Sequence, residues 1–259
     1  MWQERIVFYD LETTGVDPDT CRTVQMAYII YDAGKAVAQD TLTLNPCQAI
    51  DPRASAVHGF KDSDVAGFEK FSVKAQELYA VFNNSYWCGY NNKKFDNVIL
   101  RREFDLSGFK SPHCLGTLDL YKCFVHFHGK PIKRGTRTLQ ACHKHYAGIE
   151  FDGAHDALAD VEAVVTCLRG MLASHPELED INKALKYSNT LELDIDNIGF
   201  FRFDAQSKKP TVAKGKYARI HMNSIPVWYY KWILTASFPQ DTKKIALNAI
   251  KGVYPVYRA

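Results

Sequence analysis

The sequence predicts an α/β domain with a central mixed sheet flanked by helices, followed by a small basic C-terminal module. Residues 6–9 form an apolar run without alternation, which is typical of a strand buried on both faces. Residues 95–104 and 156–172 have the spacing of helices with one apolar side. The charge changes sign along the chain. Residues 197–259 carry eleven basic and two acidic side chains, whereas the other 196 residues carry twenty-one basic and twenty-seven acidic ones.

Five strands are predicted, near residues 5–12, 25–32, 38–45, 86–90 and 114–118. The first three form a meander, in which a turn at residues 32–35 (DAGK) joins the second strand to the third. The last two strands extend the sheet, and the predicted helices cover its faces. No internal repeat or low-complexity tract interrupts this pattern.

Two carboxylates, Asp10 and Glu12, come at the end of the first strand. Residues i and i+2 of a strand point to the same side, so these side chains lie together, facing away from Leu11. Neighbouring carboxylates repel each other and lose hydration when they are buried. A cation removes that conflict, and oxygen ligands favour magnesium or manganese. The alternative, a merely solvated acidic pair, remains open for this motif alone.

Asp96 stands at the opening of the predicted helix 95–104, after a short strand and a polar loop. The exposed N–H groups of a first helical turn favour a carboxylate at this place. A role as the helix N-cap would by itself explain Asp96.

His155 and Asp160 flank the start of the next long helix, for which Asp156 is a plausible N-cap. A histidine beside a helix start is often a surface or capping residue, and an aspartate in a first turn often serves the helix dipole. These structural explanations would all have to hold at once, in the right order along the chain, for the five residues to lack a common function.

The segments FYDLETTG, GYNNKKFDN and AHDALAD together resemble the three motifs of the DEDDh family of 3′→5′ exonucleases, in the RNase H-like superfamily. The wording GYNN-x-x-FD with AHDA-x-AD is most similar to members of the exonuclease I and exonuclease X types. The resemblance covers about residues 5–172 and implies an RNase H-like fold.

The resemblance implies a role for each of the five residues. Asp10, Glu12 and Asp160 bind one divalent cation, Mg²⁺ or Mn²⁺, and Asp10 bridges to a second one. Asp96 completes the site, directly or through water, and His155 is the general base that activates the attacking water. The physics agrees, because paired cations assist phosphodiester cleavage and histidine titrates near neutral pH.

The implied activity is a metal-dependent 3′→5′ exodeoxyribonuclease that releases nucleoside 5′-monophosphates from DNA with a free 3′ end, in DNA repair, replication or degradation. The backbone near Leu11 and Thr13 would hold the terminal nucleotide, with His58 near it. One alternative is an exoribonuclease that trims RNA, because the same chemistry cleaves both polymers. Another is an inactive nucleic-acid-binding protein, against which the complete set of five residues argues.

The predicted organisation is an exonuclease domain at residues 1–172, a linker at 173–196 and a small module at 197–259. The module has a net charge of +9, from eleven basic and two acidic residues, which would draw it to phosphates. Its candidate nucleic-acid contacts are Lys208, Lys209, Lys214, Lys216 and Arg219.

Aromatic residues crowd a predicted helix in this module, and the segment KGKY followed by PVWYYKWIL is similar to a small module behind some exonucleases of the exonuclease X type. Trp228 and Trp232 are four residues apart and share a helix face. The favoured interpretation is that Trp228, Tyr229 and Trp232 form the core of the small module. The alternative is that nucleic-acid bases stack on their rings.

Composition is ordinary for a soluble globular protein, with 46% hydrophobic and 24% charged residues. No apolar run approaches the length of a membrane span, and the start MWQERIVFYD lacks the basic segment of a signal peptide. Seven cysteines without framework spacing indicate reduced thiols and a cytoplasmic setting. Membrane association is not expected, and the sequence indicates no particular protein partner.

Cys123 with His126, and Cys142 with His145, repeat a C-x-x-H spacing that could bind zinc. Both pairs lie in stretches predicted as helices, and Cys142 falls on an apolar side. Buried core thiols are therefore the favoured interpretation.

Overall fold

The computed structural model describes residues 1–128, 137–151, 156–189, 193, 195–196, 199–204 and 206–257. The chain forms two compact units, Met1–Thr190 and Leu191–Ala259. Within the residues described, no helix combines the length and the apolar character needed to span a membrane.

The first unit is built on a five-stranded sheet. Its strands are β1 (Ile6–Thr13), β2 (Thr23–Asp32), β3 (Lys35–Thr43), β4 (Ser85–Gly89) and β5 (Cys114–Asp119). They lie in the order β3-β2-β1-β4-β5. β2 runs antiparallel to both β1 and β3, whereas β4 is parallel to β1 and β5 is parallel to β4. The predicted mixed sheet is confirmed.

Strand β1 is buried on both sides, which explains why its apolar run does not alternate. Ile6 and Phe8 belong to one hydrophobic core, whereas Val7 and Tyr9 belong to the core on the opposite face. Ile6, Val7 and Phe8 are fully buried. The sheet therefore lies between two helical layers, with β1 at its centre.

Strand β3 begins earlier than the sequence predicted, at residue 35 rather than 38. Ala33 and Gly34 both have positive φ, 47° and 75°, and make a turn of two residues. Asp32 therefore pairs directly with Lys35, and the strand starts at once. β3 is the sheet's edge strand and is mostly exposed, so burial gave no pattern that marked its start.

Eight α-helices are described in the first unit: α1 (Pro52–His58), α2 (Asp62–Val65), α3 (Phe71–Phe82), α4 (Asp96–Leu106), α5 (Leu120–Phe127), α6 (Leu139–Ala147), α7 (Ala157–Ser174) and α8 (Ile181–Asn189). Helices α3 and α4 supply Leu78 and Ile99 to the core that contains Val7. Helix α7 supplies Val161 and Leu168 to the core that contains Phe8. These helices cover opposite faces of the sheet, as predicted.

Asp156 caps α7, as its place in the sequence predicted. Its carboxylate accepts hydrogen bonds from the backbone N–H groups of Leu158 and Ala159, both at 3.1 Å. This cap fixes where α7 begins, and it places Asp160 in the first turn of the helix.

Residues 173–189, which we predicted as the first part of a linker, instead pack on the first unit. Ile181 and Ala184 of α8 are buried in the core shared with α7. The Ser188 hydroxyl donates to the carbonyl of Thr117 at 3.0 Å and accepts from the N–H of Asp119 at 2.8 Å. The compact unit therefore continues to Thr190, past the predicted boundary at 172.

A buried ion pair ties α4 to β2. Glu103 is almost fully buried and accepts from the Arg22 guanidinium at 2.8 to 3.1 Å and from the backbone N–H of Thr23 at 2.9 Å. The Arg22 side chain is 24% exposed. A carboxylate on the inner side of α4 is thus matched by a cation that reaches solvent.

We expect Arg22→Met to lower the free energy of unfolding by about 2–4 kcal/mol, because the buried Glu103 carboxylate loses its cation. Urea denaturation measures this change. In the control Lys74→Met, the exposed pairs of Lys74 with Glu69 and Glu77 are removed. That change should cost less than about 1 kcal/mol. Equal losses in the two variants would contradict the structural role of the Arg22–Glu103 pair.

The second unit pairs β6 (Phe201–Phe203) with β7 (Pro210–Val212) and adds α9 (Val227–Thr235) and α10 (Gln240–Ile250). Its buried cluster consists of Phe200, Phe201, Val212, Met222, Ile225, Tyr229, Tyr230, Ile233, Ala246 and Ala249. Asp196 is buried beside this cluster and accepts from the Thr242 hydroxyl at 2.6 Å and from the N–H of Phe201 at 3.0 Å.

The predicted core role of the two tryptophans is wrong. Tyr229 is buried, as expected, but Trp228 is 52% exposed and Trp232 is 47% exposed. The inward face of α9 is formed by Tyr229, Tyr230 and Ile233. Because positions 228 and 232 share a different face, α9 presents both indoles to solvent.

Candidate active site

Three carboxylates converge at the end of β1. Asp10 and Glu12 continue the face of β1 on which Phe8 lies, and α7 packs against β1 on that side. Asp160, in the first turn of α7, is brought to the same place. Carboxylate oxygens of Asp10, Glu12 and Asp160 all lie within 4.8 Å of one another. The structure therefore joins residues of the first and third motifs.

Asp96 approaches β1 from α4. The N-cap residue of α4 is Phe95, so the interpretation of Asp96 as the N-cap is wrong. The Asp96 carboxylate is buried and accepts a hydrogen bond from the backbone N–H of Leu11 at 3.2 Å. Leu11 lies between Asp10 and Glu12, so this bond binds the second motif to the first.

Next to Asp96, hydrogen bonds between polar side chains connect β1 and β5 through α4. The Tyr9 hydroxyl donates to the side-chain oxygen of Asn97, and the Asn97 amide donates to the Thr117 hydroxyl at 2.9 Å. These bonds link β1, α4 and β5. Asn97 directly follows Asp96 in the sequence, but no motif or periodicity marked it as part of the site.

Asp119 also supports the site, through a contact that the sequence pattern did not predict. It is fully buried at the end of β5 and accepts from the backbone N–H of Asn91 at 2.8 Å. Asn91 has a positive φ of 61°. A Cβ on Gly89 would lie 2.9 Å from the Asn92 side chain, so only glycine fits the close turn there. Asp119 thus fixes the loop that leads into α4.

Burial and mutual repulsion dominate the electrostatics of the site. Loss of hydration, reinforced by Asp96 and Asp160, raises the pKa of Asp10 well above its ordinary value. Loss of hydration, together with Asp10 and Asp160, raises the pKa of Glu12 to about 8. Burial also raises the pKa of Asp96 to about 7, although the N–H of Leu11 opposes the shift. The cluster is deficient in positive charge.

These residues fit a divalent cation. Hard carboxylate oxygens that converge within one coordination sphere are typical of Mg²⁺ or Mn²⁺ sites. In the part of the chain that the structure describes, this is the single cluster with three potential metal ligands. Among the described residues, neither Cys123 nor Cys142 belongs to a cluster of this kind, so the zinc alternative has no support. Both thiols are buried in the core, and burial raises the pKa of Cys123 to about 12.

The predicted substrate residues also lie at this end of β1. His58, at the end of α1, has its Nε2 3.1 Å from the carbonyl of Thr13. Its Nδ1 accepts from the backbone N–H of Phe60 at 3.1 Å, so the neutral ring carries its proton on Nε2 and donates it to Thr13. Leu11 and Thr13 therefore flank Glu12 along β1, and His58 is bonded to the backbone of Thr13.

The remaining predicted residues fall elsewhere. His155 lies outside the described residues, directly before the α7 cap Asp156. The basic residues belong to the second unit and are all exposed: Lys208 and Lys209 in the turn between β6 and β7, and Lys214, Lys216 and Arg219 after β7.

A family model described as exonuclease, of the RNase T type, matches residues 7–168. The chain belongs to this exonuclease family. The match contains every residue of the carboxylate cluster. It confirms the resemblance to the DEDDh-type 3′→5′ exonucleases of the RNase H-like superfamily. Membership also implies dependence on a divalent metal ion, in agreement with the donor set.

Individual relatives agree with this family. Exodeoxyribonuclease I of Escherichia coli K12 is 26% identical over 201 residues, which cover 69% of this chain and 42% of the relative. The crystal structure of E. coli exonuclease I with a dT13 oligonucleotide is similar with a TM-score of 0.60 at 22% identity, over 69% of this chain and 43% of that one.

A zinc-bound form of E. coli exonuclease I with single-stranded DNA has a TM-score of 0.58 at 22% identity and covers 75% of this chain and 46% of that one. At this identity the solved structures show a shared fold. The chain spans less than half the length of the relatives that it matches.

We expect a divalent cation to raise the melting temperature more at pH 8 than at pH 5. In the folded, metal-free protein the pKa of Glu12 is raised from 4.5 to about 8. Ionisation therefore lowers stability as the pH rises through this interval, and bound metal reverses the loss because its ligands must be ionised. At about 100-fold over the Kd, the gain at pH 8 should be about 5–10 °C.

Differential scanning fluorimetry with EDTA, magnesium or manganese tests this expectation. The matched variant Glu12→Gln removes one ligand and should reduce the gain at pH 8. Identical melting temperatures with and without either metal at both pH values would refute a metal site at these carboxylates.

Proposed function

We propose that this protein is a metal-dependent 3′→5′ exodeoxyribonuclease that releases nucleoside 5′-monophosphates. The observation that carries the proposal is the convergence of Asp10, Glu12 and Asp160 within 4.8 Å, with Asp96 bonded to the same strand. Membership of the exonuclease family supports the reaction class. The solved complexes of E. coli exonuclease I with single-stranded DNA support DNA as the substrate.

In this proposal Asp10, Glu12 and Asp160 would hold a divalent cation, Asp10 would also contribute to a second one, and Asp96 would complete the site. Magnesium or manganese suits the all-oxygen donor set. When bound there, such cations would supply Lewis acidity for activating a water and for stabilising the leaving 3′ oxygen. Burial disfavours the charged forms of Asp10 and Glu12, and a bound cation would offset that cost.

His155 takes the proton from the attacking water in this scheme. It directly precedes Asp156, whose cap fixes the start of α7 and the position of Asp160. A histidine base suits a reaction near neutral pH because its ordinary pKa lies there. The water oxygen forms a new bond to phosphorus as the P–O3′ bond breaks, so the terminal nucleotide leaves with a 5′-phosphate. The 3′ oxygen of the shortened strand takes a proton from solvent and becomes the 3′-hydroxyl.

Leu11, Thr13 and His58 are proposed to position the terminal nucleotide. The N–H of Leu11 and the carbonyl of Thr13 are already occupied, by Asp96 and His58. These residues therefore act by shaping a rigid wall beside the carboxylates. A location in the cytoplasm and a role in DNA repair, replication or degradation remain predictions from the sequence.

The exoribonuclease alternative uses the same carboxylates, because the same chemistry cleaves both polymers. The inactive-fold alternative requires that the cluster lack metal-dependent activity. Digestion of 5′-labelled single-stranded DNA and RNA of matched sequence separates the three functions. A descending ladder on DNA supports the proposal, a ladder on RNA alone supports the exoribonuclease, and binding without cleavage supports the inactive fold.

We expect Asp10→Asn to lower kcat on DNA by about 10³-fold or more while the affinity for DNA without metal changes little. The amide keeps the volume of the side chain but cannot bridge two cations. Single-turnover digestion with magnesium measures the loss.

The matched control is Asp105→Asn, an exposed aspartate on α4. It should retain the activity of the natural protein, because its carboxylate is not in the cluster. Full cleavage by the Asp10→Asn variant would remove the basis of the metal site, and equal losses in both variants would show a non-specific effect of charge.

The basic residues of the second unit are proposed to contact phosphates. The triple variant Lys214→Gln, Lys216→Gln and Arg219→Gln should bind single-stranded DNA more weakly. The slope of log K against log salt concentration should become shallower by about 2, as three phosphate contacts are removed. Fluorescence anisotropy over a salt series measures both effects, and an unchanged slope would show that these side chains do not neutralise phosphates.

A further inference from the structure

Trp228 and Trp232 form an exposed aromatic surface on α9. They are 52% and 47% exposed, whereas Trp2 and Trp87 of the first unit are buried. Residues four apart on a helix have Cβ atoms about 5–6 Å apart on one face, so the two indoles stand on successive turns. Large aromatic rings left in solvent are costly, and contiguous exposed apolar surface marks an interaction site.

Ring contacts with two tyrosines fix the position of this surface. Tyr229 is buried between the two tryptophans, with its ring centroid 5.8 Å from that of Trp228 and 5.2 Å from that of Trp232. Tyr217, in the loop after β7, lies 4.7 Å from Tyr229 and 6.1 Å from Trp228. The indoles therefore stand on a packed aromatic base rather than on a mobile side of the helix.

Gly215 allows the basic loop to come close to α9. It has a φ of 82°, and a Cβ there would lie 3.2 Å from the Tyr229 hydroxyl. The neighbouring Lys216 places its ammonium 5.2 Å from the Trp228 ring centroid and 5.7 Å from that of Tyr217. A cation is thus seated on the aromatic surface, at the distance of a cation–π contact.

The charge around the surface is positive. Lys214, Lys216 and Lys231 are all exposed. The acidic residues described in the second unit are bonded within it: Asp196 accepts from Thr242, Asp204 from Ser207, and Asp241 from the N–H of Thr242. A polyanion therefore meets cations and aromatic rings together at this face.

We propose that the Trp228–Trp232 face of α9 binds single-stranded DNA by stacking its bases on the two indoles, with Lys216 next to the adjoining phosphate. Bases of a single strand expose the ring faces that a duplex conceals, and such stacking is tolerant of sequence. This inference rests on the proposed function, because the bound strand is the one to be degraded. It assigns a contact that depends on the bases, beyond the phosphate contacts of the basic side chains.

The affinity of every variant is measured from the fluorescence anisotropy of a 5′-labelled oligomer, because the alanine variants lose an exposed tryptophan. Quenching of intrinsic tryptophan fluorescence is a second readout in the natural protein, whose other two tryptophans are buried. An oligonucleotide of thymidines is titrated in EDTA, so that no cleavage occurs, into the full-length protein. An abasic deoxyribose-phosphate oligomer of the same length is titrated in parallel. The variants are Trp228→Ala, Trp232→Ala, the double variant and the conservative Trp228→Phe. The control is Leu247→Ala, another exposed apolar residue of the second unit.

We expect the thymidine oligomer to quench the fluorescence and the abasic oligomer to bind more weakly. Each Trp→Ala change should weaken binding of the thymidine oligomer by about 10-fold, with little effect on the abasic oligomer. Trp228→Phe should recover most of the affinity, because phenylalanine keeps a stacking face, and Leu247→Ala should bind as the natural protein does. The exposed side chains are not part of the core, so circular dichroism should be unchanged.

Three results would overturn the proposal: unchanged affinity in the double alanine variant, equal losses for the thymidine and abasic oligomers, or a dimer in solution that the Trp→Ala changes dissociate. The last would assign the face to a second copy of the chain. Hydrolysis of the p-nitrophenyl ester of thymidine 5′-monophosphate with magnesium tests the active site separately. Failure of the natural protein to hydrolyse it would contradict the nuclease proposal, whereas hydrolysis with unchanged oligomer binding in the variants would contradict only the stacking site.

Discussion

The first unit must accommodate the repulsion among partly buried carboxylates at the end of β1. Asp10, Glu12 and Asp160 meet within 4.8 Å, and burial raises the pKa of Glu12 to about 8. Without a cation, such a cluster favours either protonation or separation of the strand from α7. The surrounding fold must hold the ligands together in spite of that repulsion, and a bound divalent cation turns the repulsion into attraction.

Polar contacts around β1 and α4 help to hold the carboxylates together. The Leu11 N–H bonds Asp96, Tyr9 bonds Asn97, and the Arg22–Glu103 pair anchors α4 to β2. Each bond crosses between elements that carry ligands or adjoin them. Two hydrophobic cores on opposite faces of the sheet add the stability that the carboxylates remove. The site is therefore rigid because several elements fix it independently.

The sequence predicted those parts of the molecule that depend on local pattern. The apolar run of β1 marked the centre of the sheet, and the i, i+2 spacing placed Asp10 and Glu12 on one side. The sequence did not predict features that depend on contacts between residues far apart in the chain. Asp119 acts through the backbone of Asn91, and α8 is retained by packing that its short segment did not reveal. The exposed tryptophans were misjudged because helical periodicity gives shared faces but does not tell which face is buried.

The division of charge between the two units follows from the same chemistry. A nuclease that concentrates carboxylates at its active site repels the polyanion that it must cut, except where cations are bound. The second unit, Leu191–Ala259, has eleven basic and five acidic side chains, and its net charge of +6 offsets that repulsion. Charge alone attracts any polyphosphate, including a duplex with no free bases. In the proposed stacking site, the exposed indoles on α9 add a contact that unpaired bases satisfy, so charge supplies affinity for polyphosphates and the indoles supply the preference for single strands.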